Sequence, residues 1–401
     1  MADLETFRTQ TRQWLEENCP AQMREPTRGE EDICWGGRTW QFQSEAQKIW
    51  LQRMAAKGWT VPAWPTDYGG AGLTKDEVKV LKAEMRRINA RSPLESFGIW
   101  MLAPALLKYG TPEQKAFFLP PIARGEVRWC QGYSEPGAGS DLASLTTKCE
   151  DRGDHWRVNG QKVWTSYADK SDWIFVLVRT DNSSTKHHGI SFLLVDMQSK
   201  GVSTKPIKLI SGKSPFCETF FDDVDVPKDH APGVSAIVGQ QDRGWDVAKY
   251  LLTHEREMIG AGGGGLFGGR SPGEVAASDL GLDDQGRLTD PILRGKIAQT
   301  EIDGWAFLLT MERLKDEARA GQEMGAKASF LKYYGTEFNK RRYEVLMDVG
   351  GSDALEWSGN RSEDGKLAKT WLRTKANSIE GGTSEVQLNI IAKHVLQLPS
   401  A

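Results

Sequence analysis

Basic blocks, cysteine pairs and long apolar runs are all missing from this chain of 401 residues. The formal net charge is −3, with no extended Lys/Arg stretch, which argues against a nucleic-acid partner or an anionic membrane surface. The longest apolar runs, "WIFVLV" (173–178) and "ISFLLV" (190–195), fall far short of the roughly 20 residues of a spanning helix, so no membrane insertion is expected. "MADLETFRTQTRQWLEE" at the N-terminus lacks a basic-then-apolar signal pattern. The cysteines at 19, 34, 130, 149 and 217 form no CxxC and no pairing rhythm, which fits reduced thiols in a cytoplasmic protein.

What is present reads as an α+β protein. At roughly 100–200 residues per domain, the length predicts two or three domains. Residues 1–125 carry helical spacing, and Thr111-Pro112-Glu113-Gln114 is a helix start with a capping box. Residues 126–238 are rich in β-branched and aromatic runs divided by polar turns. Val158-Asn159-Gly160-Gln161 is the strongest hairpin signal among them. Residues 239–401 turn helical again. Ile292, Leu293, Ile297, Ile302, Trp305, Leu309 and Leu314 are the apolar positions of one expected helix, and a second helix ends at Gly350-Gly351. The last helix is expected to start at Thr383/Ser384, with Ser384 and Gln387 as its capping box.

Several motif matches carry little. The run from Gly260 to Gly265 satisfies G-x-G-x-x-G but follows a helical segment rather than a strand. "SGKS" (211–214) resembles the end of a phosphate loop, yet Ile207 stands where the first glycine is needed. His187-His188 reads as a solvated turn, not a metal site. "YSEPGAGSD" (133–141) is different. Its glycines and serines can present backbone N–H groups and hydroxyls to an anion or a polar ring. Thirty residues on, Trp164 stands beside Thr165 and Ser166; alone it reads as a core residue.

Together with "YGTPEQKAFFLPPIARGE" (109–126), "NGQKVWTS" (159–166) and "GGTSEVQLNIIAKHVL" (382–396), this segment resembles the acyl-CoA dehydrogenase family over nearly the whole chain. The resemblance implies an N-terminal helical domain, a middle β-barrel and a C-terminal helical bundle, with FAD as cofactor. It implies flavin contacts from Gln131, Tyr133, Ser134, Gly139 and Ser140, with Ser140 also near substrate. Trp164 would pack on the isoalloxazine, with Thr165 and Ser166 beside it. Gly350, Gly351, Thr383 and Glu385 would meet a FAD carried by a neighbouring subunit, so a dimer, homotetramer or heteromeric assembly is implied. An electron-transfer flavoprotein or similar acceptor would take the electrons.

The family's reaction removes an α-proton from an acyl thioester while a β-hydride moves to flavin N5, and it needs a desolvated carboxylate as base. "SIEGGTSEVQ" (378–387) offers two. In familiar members the base directly precedes Gly-Thr; here Gly381 holds that place and Glu380 lies one residue early. Glu385, in the first turn of a helix, answers to the helix dipole. In "LLTHEREMIG" (251–260), helical spacing sets Glu255 among Leu251, Leu252, Met258 and Ile259. By periodicity alone, a base and a structural Glu paired with a buried Arg stand equal. The resemblance favours the base, because one branch of the family places it here immediately before an Arg, as in Glu255-Arg256. Arg256 is then a substrate contact, and the Gly381 N–H a donor to the thioester carbonyl.

Two departures stand out. "GLDDQGRLTDPILRGK" replaces the family's Arg-x-x-Phe-Gly segment, and Met347 replaces the Gln before the glycine pair. A same-fold oxidase or monooxygenase, and a half-site subunit of a heteromer, remain alternatives. Finally, the glycine-rich run 260–269 is expected to break the helix after Glu255, and two readings stand for it: a mobile surface loop, or an opening that makes space for a bulky, branched or cyclic acyl group.

Overall fold

The computed structural model describes residues 2–183, 186–260, 269–322 and 324–399, with the side chains of residues 2, 253–260 and 361 outside that description. Contacts divide the chain into two units: Met1–Ile207 with Pro215–Leu251, and Lys208–Ser214 with Leu252–Ala401.

In the first unit, α1 (Ala2–Asn18), α2 (Glu45–Ala56) and α3 (Lys75–Arg87) close on Leu15, Trp50, Met54 and Leu81. Ser44 caps α2, and a Thr74/Glu77 capping box starts α3. Glu84 of α3 is buried, but Arg12, Arg87 and Arg8 bind it and hold its carboxyl down at about 2. A π-helical turn, Gly98–Leu102, leads into α4 (Ala103–Tyr109). Then α5 (Pro112–Ala123) begins with the reciprocal Thr111/Gln114 box expected of it.

A curled seven-stranded sheet follows, formed by β1 (Trp129–Gly132), β2 (Lys148–Asp151), β3 (His155–Ser166), β4 (Trp173–Arg179), β5 (Ile190–Asp196), β6 (Val202–Ile207) and β7 (Phe216–Pro227). The order is β1-β4-β2-β3-β7-β6, with β5 on the other edge of β4. Strands β4 and β5 are the two apolar runs of the sequence. Both are buried on both faces, so their sequences show no alternation.

Asn159-Gly160 is not a hairpin turn. The turn lies at Arg152–Asp154, and β3 runs through Asn159-Gly160 with a register shift between Val158 and Gly160. There Gly160, at φ 153°, approaches Thr147 so closely that a Cβ would stand 2.7 Å from the Thr147 Cα. The glycine serves a bulge and a close backbone approach.

Helix α6 (Gly244–Gly260) leads into the second unit. The glycine-rich segment beyond it falls on residues 261–268, which lie outside the described residues. Helices α7 (Pro272–Leu280), α8 (Pro291–Arg319) and α9 (Ala328–Gly350) share a core that includes Ala276, Leu293, Ile297 and Val345. The apolar positions of α8 divide between a buried and an exposed set. Leu293, Ile297 and Leu314 are buried, whereas Ile292, Ile302, Trp305 and Leu309 are exposed. Residues 302, 305 and 309 keep helical spacing among themselves, but on a different face from 293, 297 and 314. The short helices α10 (Lys366–Thr374) and α11 (Ser384–Ile390) complete the unit.

The chain is therefore α+β, with an N-terminal helical region, a curled middle sheet and a C-terminal helical region. Its five cysteines are buried and unpaired. Among the described residues, no helix is long and apolar enough to cross a membrane.

Candidate active site

In the first unit, Gln131 is the penultimate residue of β1, before Gly132, Tyr133 is buried, and Ser134 is half-buried. Pro136-Gly137 makes a tight turn in which Glu135 and Ala138 exchange backbone hydrogen bonds of 3.0 Å. Gly137 and Gly139 have open space where a Cβ would stand, and Ser140 is exposed. One buried carboxylate pins this loop. Glu135 accepts from the Thr146 N–H (2.7 Å), the Thr147 N–H (2.9 Å) and both threonine hydroxyls (2.9 and 2.6 Å). Its fifth partner is the Lys162 ammonium at 2.7 Å. That ammonium, fully buried, also donates to the Tyr133 carbonyl at 3.2 Å. Burial would raise the Glu135 carboxyl, yet Lys162 and the threonine donors outweigh it and hold the group at about 2. Burial lowers Lys162 to about 8 against the opposing pull of Glu135.

Two residues beyond Lys162 the strand bulges, between Lys162 and Thr165. The Val163 N–H donates to the Ser134 carbonyl at 2.8 Å, tying this bulge to the glycine loop. Trp164 takes a left-handed backbone, φ 61°, and is 54 % exposed. It is no core residue. A tryptophan held at positive φ with more than half of its surface exposed is strained and solvated at once. Thr165 is buried, and neither its hydroxyl nor the Gln131 amide nitrogen has a hydrogen-bond partner among the described residues. Ser166 ends β3, opposite Phe216. Tyr167, again left-handed at φ 51°, joins Trp35, Phe97 and Trp100 in an aromatic cluster that flanks the buried Arg128 guanidinium.

A second feature of this unit is a notch of about 300 Å³ lined by His187, His188, Arg243, Trp245, Asp246 and Lys249. The His187 and Trp245 rings stack at 4.6 Å. Asp246 bridges Arg243 (2.8 Å) and Lys249 (3.2 Å), which lower its pKa.

In the second unit the Gly381-Gly382 turn follows Glu380. Glu380 is engaged by Arg373 (2.7 and 3.3 Å) and by Asn377 (2.7 Å). Gly381 and Gly382 are both left-handed, at φ 65° and 90°. Thr383 caps α11, its hydroxyl accepting from the Val386 N–H at 3.2 Å. The expected Ser384/Gln387 box does not form. The Ser384 hydroxyl binds Glu337 (2.8 Å), and the Gln387 amide donates to the Gly381 carbonyl (3.0 Å). Glu385 is exposed, its carboxyl lowered by its own backbone N–H and the Thr383 hydroxyl. Gly350 ends α9, and Gly351 follows at φ 53° with open space at its Cβ. Glu255 and Arg256 lie on α6, but their side chains are outside the described residues.

Known families and proteins match this architecture end to end. The N-terminal, middle and C-terminal domain models of acyl-CoA dehydrogenase match residues 1–126, 130–224 and 242–396. Acyl-CoA dehydrogenase IpdE1 of Mycobacterium tuberculosis is 36 % identical over 404 residues, covering 100 % of this chain and 99 % of that one. The chain belongs to the acyl-CoA dehydrogenase family. Among solved structures, the Tcur3481–Tcur3483 steroid ACAD is 30 % identical, with TM-score 0.76 over 100 % of this chain and 99 % of that one. The ChsE4–ChsE5 complex from Mycobacterium tuberculosis is likewise 30 % identical, with TM-score 0.75 and coverage of 100 % and 99 %.

For this acyl-CoA dehydrogenase, sequence reasoning singled out neither Lys162 and Glu135 nor Lys332 beneath the glycine turn, and it set His187 aside. The signal for Lys162 was available: it lies two places from Asn-Gly in a strand of alternating burial, on the inward side. The His187–Trp245 stack joins a loop to a helix 58 positions away (245 − 187), which no local pattern reports.

Proposed function

We propose that the chain desaturates an acyl-CoA thioester between its α and β carbons, with FAD as cofactor. The observation that carries this reading is the left-handed, exposed Trp164 on a bulge hydrogen-bonded to the Ser134 loop. FAD suits the residues present. Trp164 offers an aromatic face, and Gln131, Tyr133, Ser134, Thr165 and Ser166 offer polar groups to the ring. Gly139 and Ser140 offer an open backbone and a hydroxyl to phosphates. Gly350, Gly351, Thr383 and Glu385 would serve a cofactor carried by a neighbouring chain. When bound, FAD supplies the acceptor for the β-hydrogen and its two electrons.

Glu255 is the proposed base for the α-proton. The occupied state of Glu380 supports this choice, because a carboxylate bound by an Arg and an Asn is held in place by those contacts. The Gly381 N–H is the proposed donor to the thioester carbonyl, where charge develops as the proton leaves. The notch on α6 suits the nucleotide end of CoA, with a stacked His–Trp pair for a base and Arg243 and Lys249 for phosphate. Arg256, farther along that helix, is the proposed contact nearer the thioester, together with Ser140. A bulky ring-bearing acyl group is the proposed substrate class, supported by the neighbour named as a steroid ACAD and by the aromatic cluster around Tyr167. An electron-transfer flavoprotein or similar acceptor would reoxidise the cofactor.

A second reading keeps the fold in a heteromer with incomplete sites. Its support is the missing Arg-x-x-Phe-Gly segment, Met347, and neighbours named as two-component assemblies. The visible spectrum and the mass of the purified protein decide between them. One flavin per chain in a homo-oligomer supports the first reading. Flavin bound only when a second, different chain is present supports the heteromer. A protein that stays colourless with FAD under both conditions overturns both.

A further inference from the structure

Lys332 on α9 is fully buried, and among the described residues no carboxylate comes within ion-pair distance of it. Its ammonium donates to the Gly382 carbonyl at 2.7 Å. Glu380, Glu337 and Glu385 act on it from farther off, Lys340 opposes them, and burial lowers its pKa. A buried lysine costs several kcal/mol of desolvation, and a carbonyl returns only part of it. Such a residue has a use beyond packing.

The geometry of the turn shows the use. The Gly381 carbonyl is held by Gln387 at 3.0 Å, and the Gly382 carbonyl by Lys332 at 2.7 Å and Gln387 at 3.4 Å. A trans peptide is planar, with its N–H opposed to its C=O. Fixing those two carbonyls inward therefore aims the N–H groups of Gly382 and Thr383 the other way. The Thr383 N–H, and the Gly381 N–H two residues before it, meet no acceptor among the described residues. A cation on the carbonyl end of a peptide also strengthens the donor at its other end.

We propose that Lys332 is a positioning residue. Through the Gly382 carbonyl it holds and polarises the Gly381–Thr383 turn, so that the turn's N–H groups stabilise the thioester carbonyl oxygen as it gains negative charge. This rests on the dehydrogenase reading above.

The test uses the FAD-loaded wild type and Lys332→Met with a 3-thiaacyl-CoA whose acyl chain bears a bulky ring, the substrate class proposed above, carrying ¹³C at the thioester carbonyl. The probe has no β-carbon hydrogen to lose, so it binds without turning over. Isotope-edited infrared spectra then report how strongly the carbonyl is polarised, and thermal unfolding and flavin content report the structure. The wild type is expected to shift the carbonyl band down, and Lys332→Met to lose much of that shift while keeping its flavin. In turnover the variant is expected to lose kcat on the order of 10- to 100-fold, below the loss from deleting an oxyanion donor outright, with KM little changed. A wild type with no bound or shifted band refutes the dehydrogenase reading and the inference with it. A normal wild-type shift retained in full by Lys332→Met refutes the inference alone. Where Lys332→Met does not fold, Lys332→Gln, which keeps a donor without the charge, is read the same way.

Discussion

Replacing Lys162 by Met removes one charge from a fully buried pair, and the structure says how the cost divides. Glu135 keeps its four threonine bonds and loses only the ammonium. Breaking a buried pair from one side costs about 3–5 kcal/mol. The Glu135 shift from 4.5 to about 2 points to the same scale, about 3 kcal/mol, shared among all its partners. Glu135→Gln removes the anion opposite Lys162 and keeps an amide oxygen there, and a lysine already lowered to about 8 can shed its proton, so the penalty is smaller. The double variant, with no buried charge, is expected to be more stable than the summed single effects by about 1–4 kcal/mol. The amides of Thr146 and Thr147 donate directly to Glu135, so their hydrogen exchange is the assay. A loss of about 3 kcal/mol accelerates it roughly 100-fold in Lys162→Met. The sign with pH is the same for the two groups, because both pKa values fall on folding, but the windows differ. Glu135, depressed on folding, stabilises above 4.5 and loses that contribution as pH falls toward about 2. Between about 8 and 10.5 the unfolded chain keeps the Lys162 proton that the folded chain gives up, so this term raises stability as pH rises. Strictly additive variants, or unchanged exchange at Thr146 and Thr147, would refute the clamp.

Glu255→Gln is expected to slow α-proton removal by about 10²–10⁴-fold with flavin retained, since an amide cannot take the proton. Glu380→Gln should instead lower stability through Arg373 and Asn377; rapid-reaction kinetics showing Glu380→Gln as the dead variant would move the base. Trp164→Ala should weaken FAD binding and change the flavin's visible band shape, and titration of the apoprotein at wild-type affinity would remove Trp164 from the site. Arg243→Ala and Lys249→Ala should each raise KM for acyl-CoA about 10-fold, the worth of a charge-assisted phosphate contact, at constant kcat. The matching N-acetylcysteamine thioester, which lacks the nucleotide, should not feel either change; equal losses on both thioesters would place the nucleotide elsewhere.

Patterns of apolar spacing made the three-part fold and the apolar strands legible, because burial imposes a period on the sequence. They failed where two patterns superpose. On α8 the exposed Ile302, Trp305 and Leu309 and the buried Leu293, Ile297 and Leu314 all read as apolar helix positions, and hydropathy does not say which face has a neighbour. Asn159-Gly160 misled for a related reason. The residue pair that suits a tight turn also suits a bulge, and only Thr147, twelve or more positions away in the sequence, decides between them.

Resemblance located the loop and the turn, yet the groups that hold them in shape are two buried lysines. By composition a lysine reads as surface, since a charged head in water is its usual state. Lys162 and Lys332 escape that expectation because each finds its partners in a different segment. Lys162 meets Glu135, 27 positions earlier, and Lys332 meets Gly382, 50 positions later. In each case the lysine, at 162 or 332, lies on a regular element, and its carbonyl partner, Tyr133 or Gly382, lies in a segment proposed to contact cofactor or substrate. Regular elements are stiff and loops are not. A buried cation on a strand or helix transfers that stiffness to a loop carbonyl, and the planar peptide then fixes the direction of the next N–H. Precision at a loop-built site can thus come from groups that touch neither cofactor nor substrate.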